Sequence, residues 1–272
     1  MAHFREVEDD ISRDYLLGDG GTVVKFNSGK AEIVIADTRK FGPMLFIDGV
    51  LQLGSSDEHI YHEMLVHPVM STVESPKKVC IFGGADGCAI REVLQHKSVE
   101  HVDLVDWDTK LIEYLKANGR MWHQGSLLDP RVHFHSINVT KFVSTEKYDV
   151  VIVDLLDPEY KDFNSGGFWS SLLPVLNSFR KRGASIVING GGILPWKIGT
   201  FERLYLSAAS LSFEQIIPYK VFVPSFAEEW GFIILSDKPV ALKENIHFRY
   251  CCESAYERAC SWEKPYKAFS KN

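Results

Sequence analysis

Carboxylates follow several of the predicted strands, and they are the side chains best suited to chemistry. Asp86 lies in the glycine turn "GGADG" at the end of one strand. Asp106, Asn138 and Asp154 follow the next three predicted strands. The parallel strands of an open α/β sheet bind ligands at their carboxyl ends. The spacing therefore predicts one cleft that these polar side chains line.

The carboxylates of this cleft favour a cationic ligand. Glycine turns after strands often hold phosphates, but Asp86 would repel one. Asp154 and Asp157, in "DLLDP", add further negative charge. Each aspartate alone could be a solvated turn residue, whereas a group of them repels itself and needs cations. We expect an amine or a sulfonium rather than a metal, because no convincing spacing of histidine and carboxylate ligands lies near them.

Asp106 indicates a nucleoside. It follows the glycine turn by about 20 residues, where an acidic residue typically accepts hydrogen bonds from ribose hydroxyls. The alternative role is a helix cap, which fits Asp108 better because the predicted helix begins at Thr109. Trp107 could lie against the base of this nucleoside or form a pocket wall.

Strand and helix patterns alternate over residues 78–237, which is typical of a mostly parallel sheet with helices on both faces. The last two strands have no helix between them, so we expect them to pair antiparallel at one edge. This order predicts the α/β class and a methyltransferase-like Rossmann fold with a seven-stranded sheet. We expect the helix that begins at Phe168 to continue to Gly183.

Short β-type runs between residues 20 and 53 predict a small antiparallel sheet before the alternating part. A helical pattern follows from about residue 57. We therefore expect an N-terminal β domain over residues 1–68 and a Rossmann-like catalytic domain over residues 69–272.

The composition indicates a folded protein and excludes several classes. Hydrophobic residues make up 45% of the 272 residues, and the formal net charge of -6 argues against a nucleic-acid partner. The five cysteines are odd in number and show no C-x-x-C spacing, so we expect reduced thiols. We see no signal peptide and no run of the roughly 20 apolar residues that a membrane span needs. These features favour the cytoplasm.

Four motifs resemble those of the polyamine aminopropyltransferases, the spermidine synthase family. They are "DGVLQ" at 48–52, "DEHIYHEM" at 57–64, "GGADG" with "REV" at 83–93, and "DLLDP" at 154–158. The resemblance covers nearly the whole chain. It implies transfer of an aminopropyl group from decarboxylated S-adenosylmethionine, a co-substrate rather than a permanently bound cofactor, to an amine such as putrescine. It also implies a homodimer through the N-terminal sheet and no catalytic metal.

On the donor side, the resemblance implies that Asp86 pairs with the aminopropyl ammonium and that Asp106 holds the ribose. Asn138 stands where the family usually has an aspartate, and its amide oxygen can still accept a hydrogen bond from the adenine amino group. The remaining donor-side residues are Gln52, His62, Gly83, Gly84 and Trp107.

On the acceptor side, the resemblance implies that Asp154 takes a proton from the amine, with Tyr61 orienting the nitrogen. Asp157 would anchor a charged amine of the acceptor. Tyr219 matches a further acceptor position. The family pattern changes at Glu159-Tyr160, at Ile188 and at Glu228-Glu229, so the acceptor need not be putrescine.

Two other functions fit the same fold. A relative could use intact S-adenosylmethionine as an N-methyltransferase of a small amine, but Asp86 would repel the carboxylate of that donor. A non-catalytic paralogue could act as a binding or regulatory subunit. Retention of Tyr61, Asp86, Asp154 and Asp157 argues against this, because a binding shell need not keep a base and its neighbours.

Overall fold

A computed structural model of the protein describes residues 2–8, 10–164, 167–242 and 248–262. Its strands are β1 (His3–Glu8), β2 (Ile11–Leu16), β3 (Val23–Asn27), β4 (Glu32–Thr38), β5 (Gly42–Ile47), β6 (Val50–Gly54), β7 (Lys78–Gly83), β8 (His101–Asp106), β9 (Val132–Ser136), β10 (Tyr148–Asp154), β11 (Arg180–Gly192), β12 (Gln215–Val223) and β13 (Glu228–Ser236). Its α-helices are α1 (Glu58–Ser71), α2 (Cys88–Leu94), α3 (Thr109–Asn118), α4 (Arg120–His123), α5 (Phe168–Phe179), α6 (Ile198–Ala208) and α7 (Glu253–Ala259).

The large sheet has seven strands in the order β12-β13-β11-β10-β7-β8-β9. Strands β7 to β11 run parallel to one another, and β13 is antiparallel to β11 and β12. The predicted Rossmann-like sheet and its antiparallel edge are confirmed. The strand order reverses between β7 and β10, and ligands of open α/β sheets bind at such a switch point.

The helix that begins at Phe168 ends at Phe179, so the predicted extension to Gly183 is wrong. Residues from Arg180 onward belong to β11, whose pairing with β10 starts at Tyr148 and Arg180 and is irregular before Ser185. Gly183 has a φ of +76°, which does not fit a helix interior. The last residues of the predicted helix therefore belong to a strand of the large sheet.

The N-terminal part contains the expected antiparallel sheet, β3-β4-β5-β6, and a hairpin that was not predicted, β1-β2. Glu6 of the hairpin is buried, and its Oε1 accepts a hydrogen bond of 2.7 Å from the Leu51 amide of β6. The predicted domain boundary at residue 68 lies inside α1, which continues through Pro68 and packs against α2 and β11. The division into two domains stays a prediction.

Glu63 of α1 fixes the segment that precedes α7. Its carboxylate is buried and accepts hydrogen bonds from the amides of Arg249, Tyr250 and Cys251 at 2.9, 2.6 and 2.8 Å. Hydrogen bonds to an ionised acceptor are stronger than neutral ones, so Glu63 holds this segment against the helix that carries the site. Among the described residues, no helix has the length and apolar character needed to cross a membrane.

Candidate active site

The glycine turn brings the ends of β7 and β10 into contact. Gly83 pairs directly with Asp154 in the sheet. It has a φ of +81°, and a Cβ at this position would lie 2.0 Å from the Asp154 carbonyl oxygen. A Cβ on Gly84 would lie 3.3 Å from the Asp154 carboxylate. The φ of Ala85 is not positive, so its methyl group causes no backbone strain of the kind expected for a side chain at Gly83.

Asp86 is fixed at the start of α2 and faces α1. Its Oδ1 accepts a hydrogen bond of 2.7 Å from the Cys88 amide and lies 3.7 Å from His62 Nε2. The glycine turn and α1 together therefore place a carboxylate beside an imidazole.

His62 is a buried cation between carboxylates. Its Nδ1 lies 2.9 Å from Glu58 Oε2, and Arg91 donates to the same oxygen at 2.9 Å. Burial lowers the pKa of His62, but the hydrogen bond with Glu58 and the charge of Asp86 outweigh burial and raise the pKa to about 9. Burial raises the pKa of Glu58, but His62 and Arg91 outweigh it and lower the pKa to about 2. At neutral pH the pair is an imidazolium and a carboxylate.

Asp154 completes the cleft. Tyr61 donates a hydrogen bond of 2.7 Å to Asp154 Oδ1. Burial raises the pKa of Asp154 to about 6, while the charge of His62 opposes the rise. The ring of Tyr61 is buried and packs edge-on against Phe232, 5.2 Å away between centroids. Asp154 is therefore a stronger base than an ordinary aspartate, with an oriented phenol beside it.

In the described part of the chain, two sets of side chains have possible metal-ligand atoms that all lie within 4.8 Å of one another. One set is Glu58, His62 and Cys88, and the other is His62, Asp86 and Asp154. The sequence spacing did not reveal either set. Both need His62 as a ligand, yet a protonated imidazole cannot bind a metal. Burial also raises the pKa of the Cys88 thiol well above its ordinary value, which disfavours the thiolate that metals bind. The expectation that no metal takes part stays a prediction.

Asp157 lies near three other charged side chains, which are those of Glu8, Lys197 and Glu228. Lys197 Nζ is 3.0 Å from Glu8 Oε1 and 3.4 Å from Glu228 Oε1. Burial raises the pKa of Asp157 to about 7; Lys197 opposes the rise, and Glu8 and Glu228 add to it. Sequence reasoning missed Glu8 and Lys197. The strand that carries Glu8, "HFREVE", has no alternation of apolar and polar residues, so its sequence contained no signal of a hairpin.

The other predicted donor-side residues line the ends of neighbouring strands. Asp106 is partly buried and accepts a hydrogen bond of 2.8 Å from the Asp108 amide. Burial raises its pKa, and the charges of Asp108 and Asp86 add to the rise. Trp107 is 52% exposed, with Lys30 Nζ 4.9 Å from its ring centroid.

The side chains of Gln52 and Asn138 already form hydrogen bonds within the chain. Gln52 Nε2 donates to the Val50 carbonyl at 3.1 Å. Asn138 Oδ1 accepts from the amide of Thr140 at 3.0 Å and from its hydroxyl at 2.8 Å. A carbonyl oxygen has two lone pairs, so the Asn138 oxygen expected to receive the adenine amino group is already occupied. Its amide nitrogen is the group left for a ligand.

Some predicted acceptor residues are not brought to the cleft. Tyr219 is fully buried, and its hydroxyl donates to the Met64 carbonyl at 2.8 Å. Ile188 is fully buried in the core, whereas the neighbouring Asn189 donates to the Leu155 carbonyl at 2.8 Å and so shapes the loop before Asp157. The side chain of Tyr160 lies outside the described part of the chain. The hydroxyl of Tyr219 is therefore not available to an acceptor.

Known proteins match most of this chain. The model of the spermine/spermidine synthase domain matches residues 58–245. A polyamine aminopropyltransferase of Sulfolobus acidocaldarius is 36% identical over 223 residues, which cover 78% of this chain and 71% of the relative. Polyamine aminopropyltransferase 1 of Hyperthermus butylicus is 35% identical over 212 residues, which cover 76% and 72%. The crystal structure of a spermidine synthase from Thermotoga maritima has the same fold, with a TM-score of 0.85 at 22% identity over 98% of this chain and 93% of that one.

The close approach of β7 and β10 predicts different costs for two glycine substitutions. Gly83→Ala adds a methyl group against the Asp154 carbonyl at positive φ, whereas Gly49→Ala has a similar φ of +84° and no atom within 4 Å. We expect Gly49→Ala to lower the free energy of unfolding by about 1 kcal/mol and Gly83→Ala by about 3 kcal/mol or more. Urea denaturation measures both. Equal costs would contradict the contact between the turn and Asp154.

Proposed function

The chain belongs to the spermine/spermidine synthase family, and from this premise we propose that it transfers the aminopropyl group of decarboxylated S-adenosylmethionine to an amine. One observation carries the proposal: Asp86, Asp154 and His62 present donor atoms within 4.8 Å of one another. Two carboxylates and one imidazolium leave an excess of negative charge. A sulfonium donor that carries an ammonium, together with an amine acceptor, would neutralise it.

Asp86 supports the decarboxylated form of the donor. Its carboxylate would pair with the aminopropyl ammonium, whereas the carboxylate of intact S-adenosylmethionine would be repelled there. Asp106 would accept hydrogen bonds from the ribose hydroxyls. Trp107, whose ring is half-exposed beside Asp106, offers a face for the adenine.

The reaction would be an in-line displacement. The acceptor ammonium first gives one proton to Asp154, whose pKa of about 6 makes it a better base than an ordinary aspartate. The freed nitrogen lone pair attacks the aminopropyl carbon next to the sulfonium. A carbon–nitrogen bond forms, and the carbon–sulfur bond breaks with its electrons moving to sulfur, so a neutral thioether leaves. Tyr61 orients the base and the nitrogen, and most of the remaining rate comes from alignment of the two substrates.

Asp157 would bind an ammonium of the acceptor away from the reacting nitrogen. It lies three residues after Asp154 and is partly buried, which strengthens an ion pair with an amine. The distance between the two aspartates along the cleft would therefore select acceptors with more than one amine.

We also propose that two copies associate through the N-terminal sheet and that the protein works in the cytoplasm. Val7, Ile11 and Leu16 of the β1-β2 hairpin expose 61%, 38% and 48% of their surfaces, which supports an apolar contact there. The cysteines of the described chain are free, which fits a reducing compartment.

The transferred group can be identified directly. We expect incubation with decarboxylated S-adenosylmethionine and a panel of diamines and polyamines to add about 57 mass units to an amine, as one aminopropyl group requires. Mass spectrometry of the products is the measurement. Addition of about 14 mass units from intact S-adenosylmethionine would instead identify a methyltransferase. No product from either donor would favour the non-catalytic paralogue and contradict the proposal.

Asp154→Asn removes the base but keeps the shape of the side chain. We expect donor binding by calorimetry to be retained and kcat to fall by about a hundredfold or more. In the unmodified protein, kcat/KM should fall as pH drops from about 7 to about 6, because Asp157 and then Asp154 take up protons. Asp157→Asn serves as the comparison and should mainly raise the KM of the acceptor. Unchanged turnover in Asp154→Asn, or a kcat/KM that stays constant across this pH range, would remove Asp154 as the base.

A further inference from the structure

Beyond Asp157 the cleft contains a cation of the protein itself. We call Glu8, Asp157, Lys197 and Glu228 the distal charge group. Lys197 Nζ lies 3.0 Å from Glu8 Oε1 and 3.4 Å from Glu228 Oε1, and its side chain is 18% exposed. The ammonium of Lys197 is thus held between carboxylates of the N-terminal hairpin and of β13.

Two adjacent glycines of β11 each leave space for one carboxylate of this group. A Cβ on Gly191 would lie 3.4 Å from Asp157 Cγ, and a Cβ on Gly192 would lie 2.4 Å from Glu228 Oε2. Asp157 and Glu228 therefore lie over adjacent residues of one strand. A side chain at Gly192 would exclude Glu228 from this place.

One oxygen of the distal charge group lacks a partner. Glu228 is 4% exposed, and its Oε2 is buried without a hydrogen bond among the described residues. A buried carboxylate oxygen that accepts no hydrogen bond is costly, so it marks a position where a donor of a ligand would bind. An ammonium group has three donors and suits this oxygen.

The distal charge group stays negative with Lys197 in place. Three carboxylates face one ammonium, and Arg13 is shared between Glu6 and Glu8 at 3.3 Å each. Burial raises the pKa of Glu228, with Lys197 opposing and Glu8 adding to the rise. The net negative charge of these four residues favours a further cation.

We propose that Lys197 determines how many ammonium groups the acceptor carries, an inference that rests on the proposed aminopropyl transfer. Lys197 occupies the Glu8 side of the distal charge group and leaves Asp157 and the free oxygen of Glu228 for one ammonium. A diamine, with its reacting nitrogen at Asp154, has one such group. A triamine has two ammonium groups besides its reacting nitrogen, and Lys197 repels the second. Lys197 is a specificity residue and takes no part in the chemical step.

Lys197→Met tests this because methionine keeps the length of the side chain and removes its charge. We expect the ratio of kcat/KM for spermidine to that for putrescine to rise by about tenfold or more. In this variant the second ammonium of spermidine is no longer repelled by Lys197 and pairs with a desolvated carboxylate instead. The change should lie in KM rather than in kcat. Lys197→Arg keeps the charge and should keep the ratio. Glu8→Gln removes one carboxylate and should shift the ratio the opposite way, toward putrescine.

Lys181→Met is the matched control, because Lys181 forms a 2.9 Å ion pair with Asp149 near the amino-terminal ends of β10 and β11. It should leave the ratio unchanged. If Lys197→Met and Glu8→Gln both transfer the group with the spermidine-to-putrescine ratio of the unmodified protein, the role of Lys197 is overturned. The proposed function then still stands. If Lys197→Met does not fold, the shift in Glu8→Gln decides. Absence of transfer by the unmodified protein to every amine overturns the proposed function and this inference together.

Discussion

The buried imidazolium of His62 is the interaction on which the charges of the site depend. Asp86 and Asp154 lie close together in a partly desolvated cleft, where two carboxylates repel each other unless a cation is near. His62 supplies that cation. Glu58 keeps it charged, and Arg91 holds Glu58 in place through the same carboxylate oxygen. The free site therefore has a cation beside its two carboxylates and still attracts a positively charged donor and acceptor.

This arrangement extends below the cleft into a buried polar network. Arg91 also donates to Glu92 Oε1 at 2.7 Å, and Glu92 Oε2 lies 3.0 Å from His67 Nε2. Helices α1 and α2 are thus joined by an ion pair between Arg91 and Glu58 and by the contact between Glu92 and His67, as well as by apolar packing. A fully satisfied network of this kind rigidifies the elements that carry it. Helix α1 carries Tyr61 and His62, and α2 follows the glycine turn, so this rigidity fixes the geometry of the proposed site.

The sequence was most informative where local patterns decide the structure. Alternating strands and helices predicted the sheet, and the strand ends predicted that Asp86 and Asp154 would meet. Contacts between residues far apart in the chain were not predictable in the same way. Lys197 and Glu8 are in contact although they are far apart in the sequence. The hairpin that carries Glu8 was missed because its strand is charged and exposed on one face. Sheet pairing ended α5 at Phe179, a tertiary effect that overrides a local helix pattern.

The protonation state of His62 is the most direct test of this account. NMR titration of the histidine side chains, with His62 assigned by its loss in His62→Gln, should give a midpoint near pH 9. Because this pKa is raised above the unfolded value of about 6.5, its contribution to stability is complete below that pH and is lost as pH rises through about 9. Glu58→Gln should lower the midpoint. A His62 that titrates at or below its ordinary pKa would contradict the buried imidazolium and the charge balance derived from it.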